Sequence, residues 1–186
     1  MILSAQNPDA IIGCPTPDVR GMDGQAAGTN RKEAFLGMSI YLDRAKTLRA
    51  TVTPHYNCAQ SVLLPFAEEC GITREEALRV AANLGGGMRI AATCGAFVGA
   101  ALALGLCGVD DPAVIAGLAV AIKANHHGAL DCATLLRINR EAGFEKKPHC
   151  DAMVFEAVAH VERILREQGI LRGQGQFPGE ETCNER

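Results

Sequence analysis

Eight cysteines are the residues of this sequence best able to do chemistry. Four of them lie close behind a residue that favours the start of a helix: Cys58 after Asn57, Cys94 after Thr93, Cys132 after Asp131, and Cys150 two residues after Pro148. In the first turn of a helix, unpaired N–H groups and the positive end of the dipole favour a thiolate over a thiol. Thiolates bind metals and attack disulfides, so the sequence predicts that these four form one redox or metal centre.

The other four cysteines lack this setting. Cys70 and Cys107 each come directly before a glycine that is expected to end a helix, where the dipole disfavours a thiolate. We therefore expect both to be small, buried, apolar side chains. Cys14 and Cys183 fall in terminal segments without a regular pattern. None of these four is predicted to belong to the centre.

Spacing along the chain leaves the kind of centre open. The absence of C-x-x-C argues against a zinc ribbon or a thioredoxin-type motif, and the absence of C-x-x-C-H argues against covalently attached haem. Four thiolates suit an iron–sulfur cluster or a tetrahedral zinc ion. A metal-free dithiol needs only two of them, with Cys58 or Cys150 as a member. His55 and His149 stand beside these cysteines as further candidate ligands or hydrogen-bond donors.

The composition favours helices packed on helices. Apolar residues make up 48% of the 186 residues, but aromatic residues only 4%, and tryptophan is absent. The core must therefore consist mainly of Ala, Leu, Val, Ile and Gly, whose small members let helices approach closely. The net charge is −3 and no basic block occurs, which argues against binding to nucleic acid or to an anionic membrane surface.

Helix caps and breakers predict an all-α bundle of six or seven helices with irregular terminal arms. The predicted domains are an N-terminal arm (1–28), a helical four-cysteine redox domain (29–170) and a flexible tail (171–186). The predicted helices span about 30–50, 57–69, 73–84, 93–106, 112–125, 131–141 and 150–168. The N-terminus lacks a basic region followed by an apolar run, so we expect a cytoplasmic protein rather than a secreted one.

The apolar stretch Ile90–Val109 contains no charged residue and is long enough to cross a bilayer. Its many Gly and Ala residues, and the lack of flanking aromatic or basic clusters, favour a buried helix of a bundle instead. The spacing of Gly95 and Gly99 suits close helix pairing, which could also occur at a dimer interface.

Five stretches of the chain, YNCAQSVLLPFAEECGI, NLGGGM, TCGAFVGAALALGL, DCATLL and PHC, together resemble a family of redox-active proteins. The family is named for its C…GCAxxG…C…C pattern and is related to the iron–sulfur domain of split-Soret cytochrome c. The resemblance extends over about 30–168. It places the family's cysteines on the same four positions: Cys58, Cys94, Cys132 and Cys150.

The resemblance implies a small helical protein that carries a [2Fe–2S] cluster on these four cysteines and forms a homodimer. Haem chemistry does not carry over, because no haem-attachment motif is present. No Ser-His-Asp set, acidic pair or nucleotide fingerprint supports a hydrolase or a dehydrogenase. We therefore expect an oxidoreductase or electron-transfer protein that acts with an unidentified redox partner. A metal-free thiol/disulfide protein and a structural Cys₄ zinc site remain the alternatives.

Overall fold

The computed structural model describes residues 39–171 of the chain, and this part is built from helices joined by short connections. Its seven α-helices are α1 Ile40–Ala50, α2 Cys58–Leu63, α3 Arg74–Val80, α4 Gly95–Leu106, α5 Pro112–Asn125, α6 Cys132–Glu141 and α7 Lys146–Glu167. Within these residues no strand forms beyond one isolated backbone bridge, between Thr93 and Asp131. The predicted all-α fold is confirmed. The predicted arm 1–28 and the tail after residue 171 lie outside the described residues.

Side-chain caps begin most of the helices where the sequence predicts. Asn57 and Gln60 form a reciprocal capping box at the start of α2, and Thr73 and Glu76 form another at the start of α3. An aspartate caps each of α5 and α6 by accepting a hydrogen bond from a backbone N–H of the first turn. These starts could be predicted because each cap is a contact between residues two or three positions apart.

Four helix limits differ from the prediction. Helix α3 ends at Val80 rather than near residue 84. Helix α1 begins at Ile40 instead of continuing from Asn30, because Ser39 has an extended backbone and its hydroxyl accepts a hydrogen bond from the Leu42 N–H. Helix α2 stops at Leu63 and passes into a 3₁₀ turn that contains Pro65. Helix α7 begins at Lys146 rather than after Pro148, because the first turn of a helix needs no N–H donor and so accepts a proline inside it.

Helix α4 packs closely against α2 and α7. At Gly99, an added Cβ would lie 2.8 Å from both the Cα and the carbonyl oxygen of Ala59 on α2. At Gly95, it would lie 2.8 Å from the carbonyl oxygen of Leu84. Both glycines are therefore used for packing inside one chain. The close helix pairing that their spacing predicts therefore occurs between elements of a single chain.

Two glycine-to-alanine changes in α4 should have opposite effects on stability. Gly99→Ala forces α2 and α4 apart, and we expect it to lower the free energy of unfolding by about 2 kcal/mol. Gly105 has no described atom within 4 Å of the same position, so Gly105→Ala should raise that free energy by about 0.5–1 kcal/mol through helix propensity. Urea unfolding of both variants measures the difference. Equal effects at the two sites would contradict the close packing at Gly99.

Burial of the apolar stretch is confirmed for part of its residues. Ala96, Ala100, Ala103 and Leu104 are buried, whereas the side chain of Ile90 is 77% exposed. Ile90 lies in the connection before α4 rather than in the helix. Between residues 39 and 171, no helix combines the length and the apolar character needed to cross a membrane.

Cys70 and Cys107 form a disulfide, with their Cα atoms 4.4 Å apart. Cys107 immediately follows α4, and Cys70 lies in the turns that follow the 3₁₀ segment. The prediction that each fills a buried space by itself is wrong. Because the two residues are 37 positions apart, only the tertiary fold brings them together.

Candidate four-cysteine site

All four cysteines of the predicted centre line one small cavity of about 20 Å³. Cys94 is buried, and the other three are half-buried and unpaired by any disulfide. The remaining lining comes mainly from small or apolar residues, including Gly86, Gly95, Leu135 and Met153. The fold therefore brings together four thiols that lie far apart along the chain.

The cysteines are held by the ends of helices and by backbone pairing. Cys58 and Cys132 are the first residues of α2 and α6, and Cys94 directly precedes α4. The Cys94 N–H donates to the Leu130 carbonyl at 2.9 Å, and the Cys132 N–H donates to the Ala92 carbonyl at 2.7 Å. These two bonds fix the start of α4 to the start of α6.

Cys150 differs from the prediction. It is the fifth residue of α7, because that helix begins at Lys146. Its N–H is therefore already used inside the helix, and it lies past the end that has free donors. Three helix starts, not four, meet at the cavity.

A left-handed turn borders the cavity and contributes Gly86 to its lining. Gly86, Gly87, Met88, Arg89 and Ala91 all have positive φ angles. For the three that are not glycine, this conformation costs about 1–2 kcal/mol each. Such strained segments cluster at functional sites. The sequence drew attention to the glycines of this segment but did not predict the turn that extends beyond them.

Close contacts and hydrogen bonds hold this turn in place. An added Cβ at Gly87 would lie 2.8 Å from the Cβ of Cys132 and 2.6 Å from the Ala92 carbonyl oxygen, so only glycine fits there. The Arg89 side chain donates to the Asn83 side-chain oxygen and to the Ala82 carbonyl, both at 3.0 Å. The turn is thereby fixed against Cys132, which carries one of the four thiols, and against the residues that follow α3.

Cys58 and Cys150 are close enough to hydrogen-bond to each other. The Cys150 thiol donates to Cys58 and lowers the pKa of Cys58 from its usual 9.0 to about 6. The nearby Arg49 guanidinium and the Gly86 N–H also lower this pKa, whereas burial opposes them. The same hydrogen bond, together with burial, raises the pKa of Cys150 far above its usual range. In the metal-free site, Cys58 is thus the thiolate of the pair.

The other two thiols are protonated in the metal-free site. Burial raises the pKa of Cys94 to about 11, although the N–H groups of Ala96 and Phe97 act in the opposite direction. Burial and the neighbouring Cys58 also raise the pKa of Cys132. Helix starts were expected to favour thiolates at all four positions. This is wrong for Cys94 and Cys132, because burial outweighs the helix dipole. It is also wrong for Cys150, because its hydrogen bond to Cys58 and its burial both raise its pKa.

A buried ion pair between Arg49 and Asp151 lies next to the site. The Arg49 Nε donates to Asp151 Oδ1 at 2.7 Å, and the Arg49 Nη1 donates to the Tyr56 carbonyl at 3.1 Å. Arg49 thereby connects α1 to α7 beside Cys150 and to the segment that enters α2 beside Cys58. The sequence carried no signal for this pair, because its members are 102 positions apart.

A histidine cluster lies next to the cavity. His149 is one of the cavity residues, and its ring meets the ring of His126 edge-on with centroids 6.2 Å apart. His126 Nε2 is 2.5 Å from Glu156 Oε2, and Asn125 donates to Glu156 Oε1 at 2.7 Å. Of the two histidines that the sequence singled out, His149 lines the cavity. His55 does not line it, but lines a larger pocket that opens beside it.

Glu156 gives this region a dependence on pH. Burial opposes ionisation, but His160, Asn125 and His126 lower the pKa of Glu156 from its usual 4.5 to about 2. Because the folded state stabilises the Glu156 carboxylate, this carboxylate adds to the free energy of unfolding above about pH 4.5. The added stability is lost as the pH falls towards about 2. We expect Glu156→Gln to reduce this acid-dependent loss of unfolding free energy by about 2 kcal/mol. Urea unfolding at about pH 5 and about pH 2.5 tests the variant against the wild type, and parallel losses in both proteins would contradict the assignment.

The donor set of the cavity has the type and number that a metal centre requires. Four cysteine sulfurs are the usual ligands of structural zinc and of iron–sulfur clusters. Among residues 39–171, however, no group of three or more Cys, His, Asp or Glu side chains already has metal-binding spacing. The cavity has room for about one water molecule. The side chains would therefore have to rearrange around a bound metal, as ligands of metal sites commonly do.

A family model described as "Putative redox-active protein (C_GCAxxG_C_C)" matches residues 56–164. All four cysteines of the cavity lie within the matched range, whereas Cys14 and Cys183 lie outside it. In this chain Gly95 stands between Cys94 and Ala96, where the pattern that names the family has the two adjacent. No curated protein and no solved structure matches the chain.

Proposed function

Because this chain belongs to the C_GCAxxG_C_C family of redox-active proteins, we propose that it is an electron-transfer protein with an iron–sulfur cluster on Cys58, Cys94, Cys132 and Cys150. One observation carries the proposal: four thiols from four separate segments line a single cavity. Four thiolates are the complete ligand set of a [2Fe–2S] cluster, which is the type we favour from the resemblance. The cluster would supply reversible one-electron transfer.

Backbone amides around the cavity are placed to tune such a centre. The Gly86 N–H points to the Cys58 sulfur, and the N–H groups of Ala96 and Phe97 point to the Cys94 sulfur. Hydrogen bonds to the sulfurs and nearby positive charge both raise the reduction potential of an iron–sulfur centre. Arg49 supplies such a charge beside Cys58. The left-handed turn and the start of α4 would therefore act as the tuning elements.

A metal-free dithiol is the second candidate, and the contact between Cys58 and Cys150 favours it. In this case the Cys58 thiolate and the Cys150 thiol would become one disulfide and release two electrons and one proton. A partner disulfide would accept the two electrons and be reduced to two thiols, taking its second proton from solvent. Thiol–disulfide exchange needs one thiolate and one neighbouring thiol, and this pair has that arrangement. A Cys₄ zinc site is the third candidate, since zinc requires the same four ligands.

Anaerobic purification of the full chain separates these three candidates. The iron–sulfur proposal expects a coloured protein with about two irons and two acid-labile sulfides per chain, and a visible absorption that bleaches on reduction. A colourless protein with about one zinc per chain would instead support the structural Cys₄ zinc site. A colourless, metal-free protein in which Cys58 and Cys150 form a disulfide on oxidation would instead support the dithiol.

We further propose that the redox domain spans 29–170 and acts as a cytoplasmic homodimer that exchanges electrons with a separate redox protein, without binding nucleic acid or membranes. The dimer follows from the family resemblance. Light scattering of the purified chain at several concentrations measures the assembly state. A mass equal to one chain at all concentrations would remove the homodimer from the proposal.

A further inference from the structure

A second, larger pocket of about 670 Å³ opens beside the four-cysteine cavity. Three of the thiols, those of Cys58, Cys132 and Cys150, line both spaces. The volume lies within the range of pockets that hold small molecules. A molecule bound here would therefore lie against the sulfurs.

Positive side chains dominate the wall of this pocket. Lys146, Arg89, Arg49 and Lys147 all line it. No aspartate or glutamate does so among the residues that the structure describes. Asp151 lies behind the wall and pairs with Arg49 and Lys147, each at 2.7 Å. The four cations of the wall therefore outnumber the two negative groups that meet them, the Asp151 carboxylate and the Cys58 thiolate.

Two of these cations are available to a ligand. Lys146 makes no hydrogen bond or ion pair within the described part of the chain and is exposed at the start of α7. Arg89 uses Nε and one terminal nitrogen to bind Asn83 and Ala82. These bonds orient its guanidinium and leave the other terminal nitrogen free to donate. One mobile ammonium and one oriented guanidinium are a common arrangement for binding phosphate or carboxylate.

We propose that this pocket binds a small polyanion, with at least two phosphate or carboxylate groups, directly beside the thiols. An excess of several positive charges in a concave site attracts a multiply charged ligand more than a singly charged one. The concave shape favours a small molecule over the flat surface of an acidic protein. The binding goes beyond the proposed function and does not depend on which centre the cysteines hold.

Calorimetric titration of the full-length protein with pyrophosphate, and separately with citrate, tests the proposal. We expect at least one of them to bind with a dissociation constant below about 1 mM at low salt. Lys146→Glu and Arg89→Glu should each weaken that binding about tenfold or more. Lys146 is the first residue of α7, where a glutamate favours the helix, so this variant should fold normally. Comparing the two probes shows whether phosphate or carboxylate is preferred.

Two further variants make the result specific to the pocket. Lys123→Glu reverses an equally exposed charge on α5, outside the pocket, and should change the affinity less than twofold. Cys94→Ser should keep the binding even if it loses the centre, because Cys94 does not line this pocket. This separates the polyanion proposal from the iron–sulfur proposal. Failure of both probes to bind at about 1 mM would overturn the proposal. Equal weakening by Lys123→Glu and Lys146→Glu would also overturn it, because it would show unspecific attraction.

Discussion

Serine in place of any one of Cys58, Cys94, Cys132 or Cys150 is expected to abolish the visible absorption of the proposed iron–sulfur centre. A serine hydroxyl is a poor substitute for a thiolate, and three remaining sulfurs hold a cluster weakly. Each variant should fall from about two irons per chain to well below one. Iron and sulfide analysis of anaerobically purified protein, together with its absorption spectrum, gives the measurement.

The double variant Cys70→Ala/Cys107→Ala is the matched control for these serine variants. Its two cysteines form a disulfide outside the cavity, so it should keep full iron and sulfide content. Circular dichroism should show helical folding in all five proteins, because losing the centre differs from losing the fold. If Cys132 proved dispensable and Cys107 necessary, the assignment of the ligands would be wrong.

The helix starts that bring the cysteines to one cavity could be predicted because their determinants are mostly local. Asn57 and Asp131 cap helices through contacts within three residues, and each cap places the next residue, a cysteine, in the first turn. Small residues in the apolar helix indicated close packing, which the contact of Gly99 with Ala59 confirms. Patterns over short distances therefore identified the helix starts that carry three of the thiols.

The rest could not be predicted because it depends on contacts between distant residues. The Cys70–Cys107 disulfide and the Arg49–Asp151 ion pair join segments that only the tertiary fold brings together. The left-handed turn places Met88, Arg89 and Ala91 in a conformation against their own preference, so sequence propensity argues against it. Gly87 lies against Ala92 and Cys132, and Arg89 hydrogen-bonds to Asn83 and Ala82, so these contacts help to hold the turn.

The ionisation of the thiols shows the same limit of local reasoning. A helix start favours a thiolate by up to about 2 kcal/mol, but complete burial of a charge costs more than that. Only Cys58 has a lowered pKa, because Cys150, Arg49 and Gly86 all act on its sulfur. Burial depends on the assembled fold, so sequence position alone could not rank the four thiols.

Removal of the Cys70–Cys107 disulfide is expected to destabilise the fold without affecting the centre. The bond closes a loop between residues 37 positions apart, which restricts the unfolded chain and is worth about 4 kcal/mol in the chain-entropy model. Cys70→Ala/Cys107→Ala should therefore lower the free energy of unfolding by about that amount. A cluster would close overlapping loops, so the comparison is best made in a Cys58→Ser background that lacks the centre.

Reductant provides an independent test of the same bond. The triple variant combines Cys58→Ser with Cys70→Ala and Cys107→Ala. Adding dithiothreitol to the Cys58→Ser protein should lower its free energy of unfolding to about that of the triple variant. The triple variant itself should not respond to dithiothreitol. Stability that is unchanged by reductant in both proteins would show that the disulfide contributes nothing to the fold. Loss of iron from Cys70→Ala/Cys107→Ala, with Cys58 intact, would instead show that the disulfide supports the centre. The expected result is that stability falls while iron content is retained, because the disulfide and the cavity have no cysteine in common.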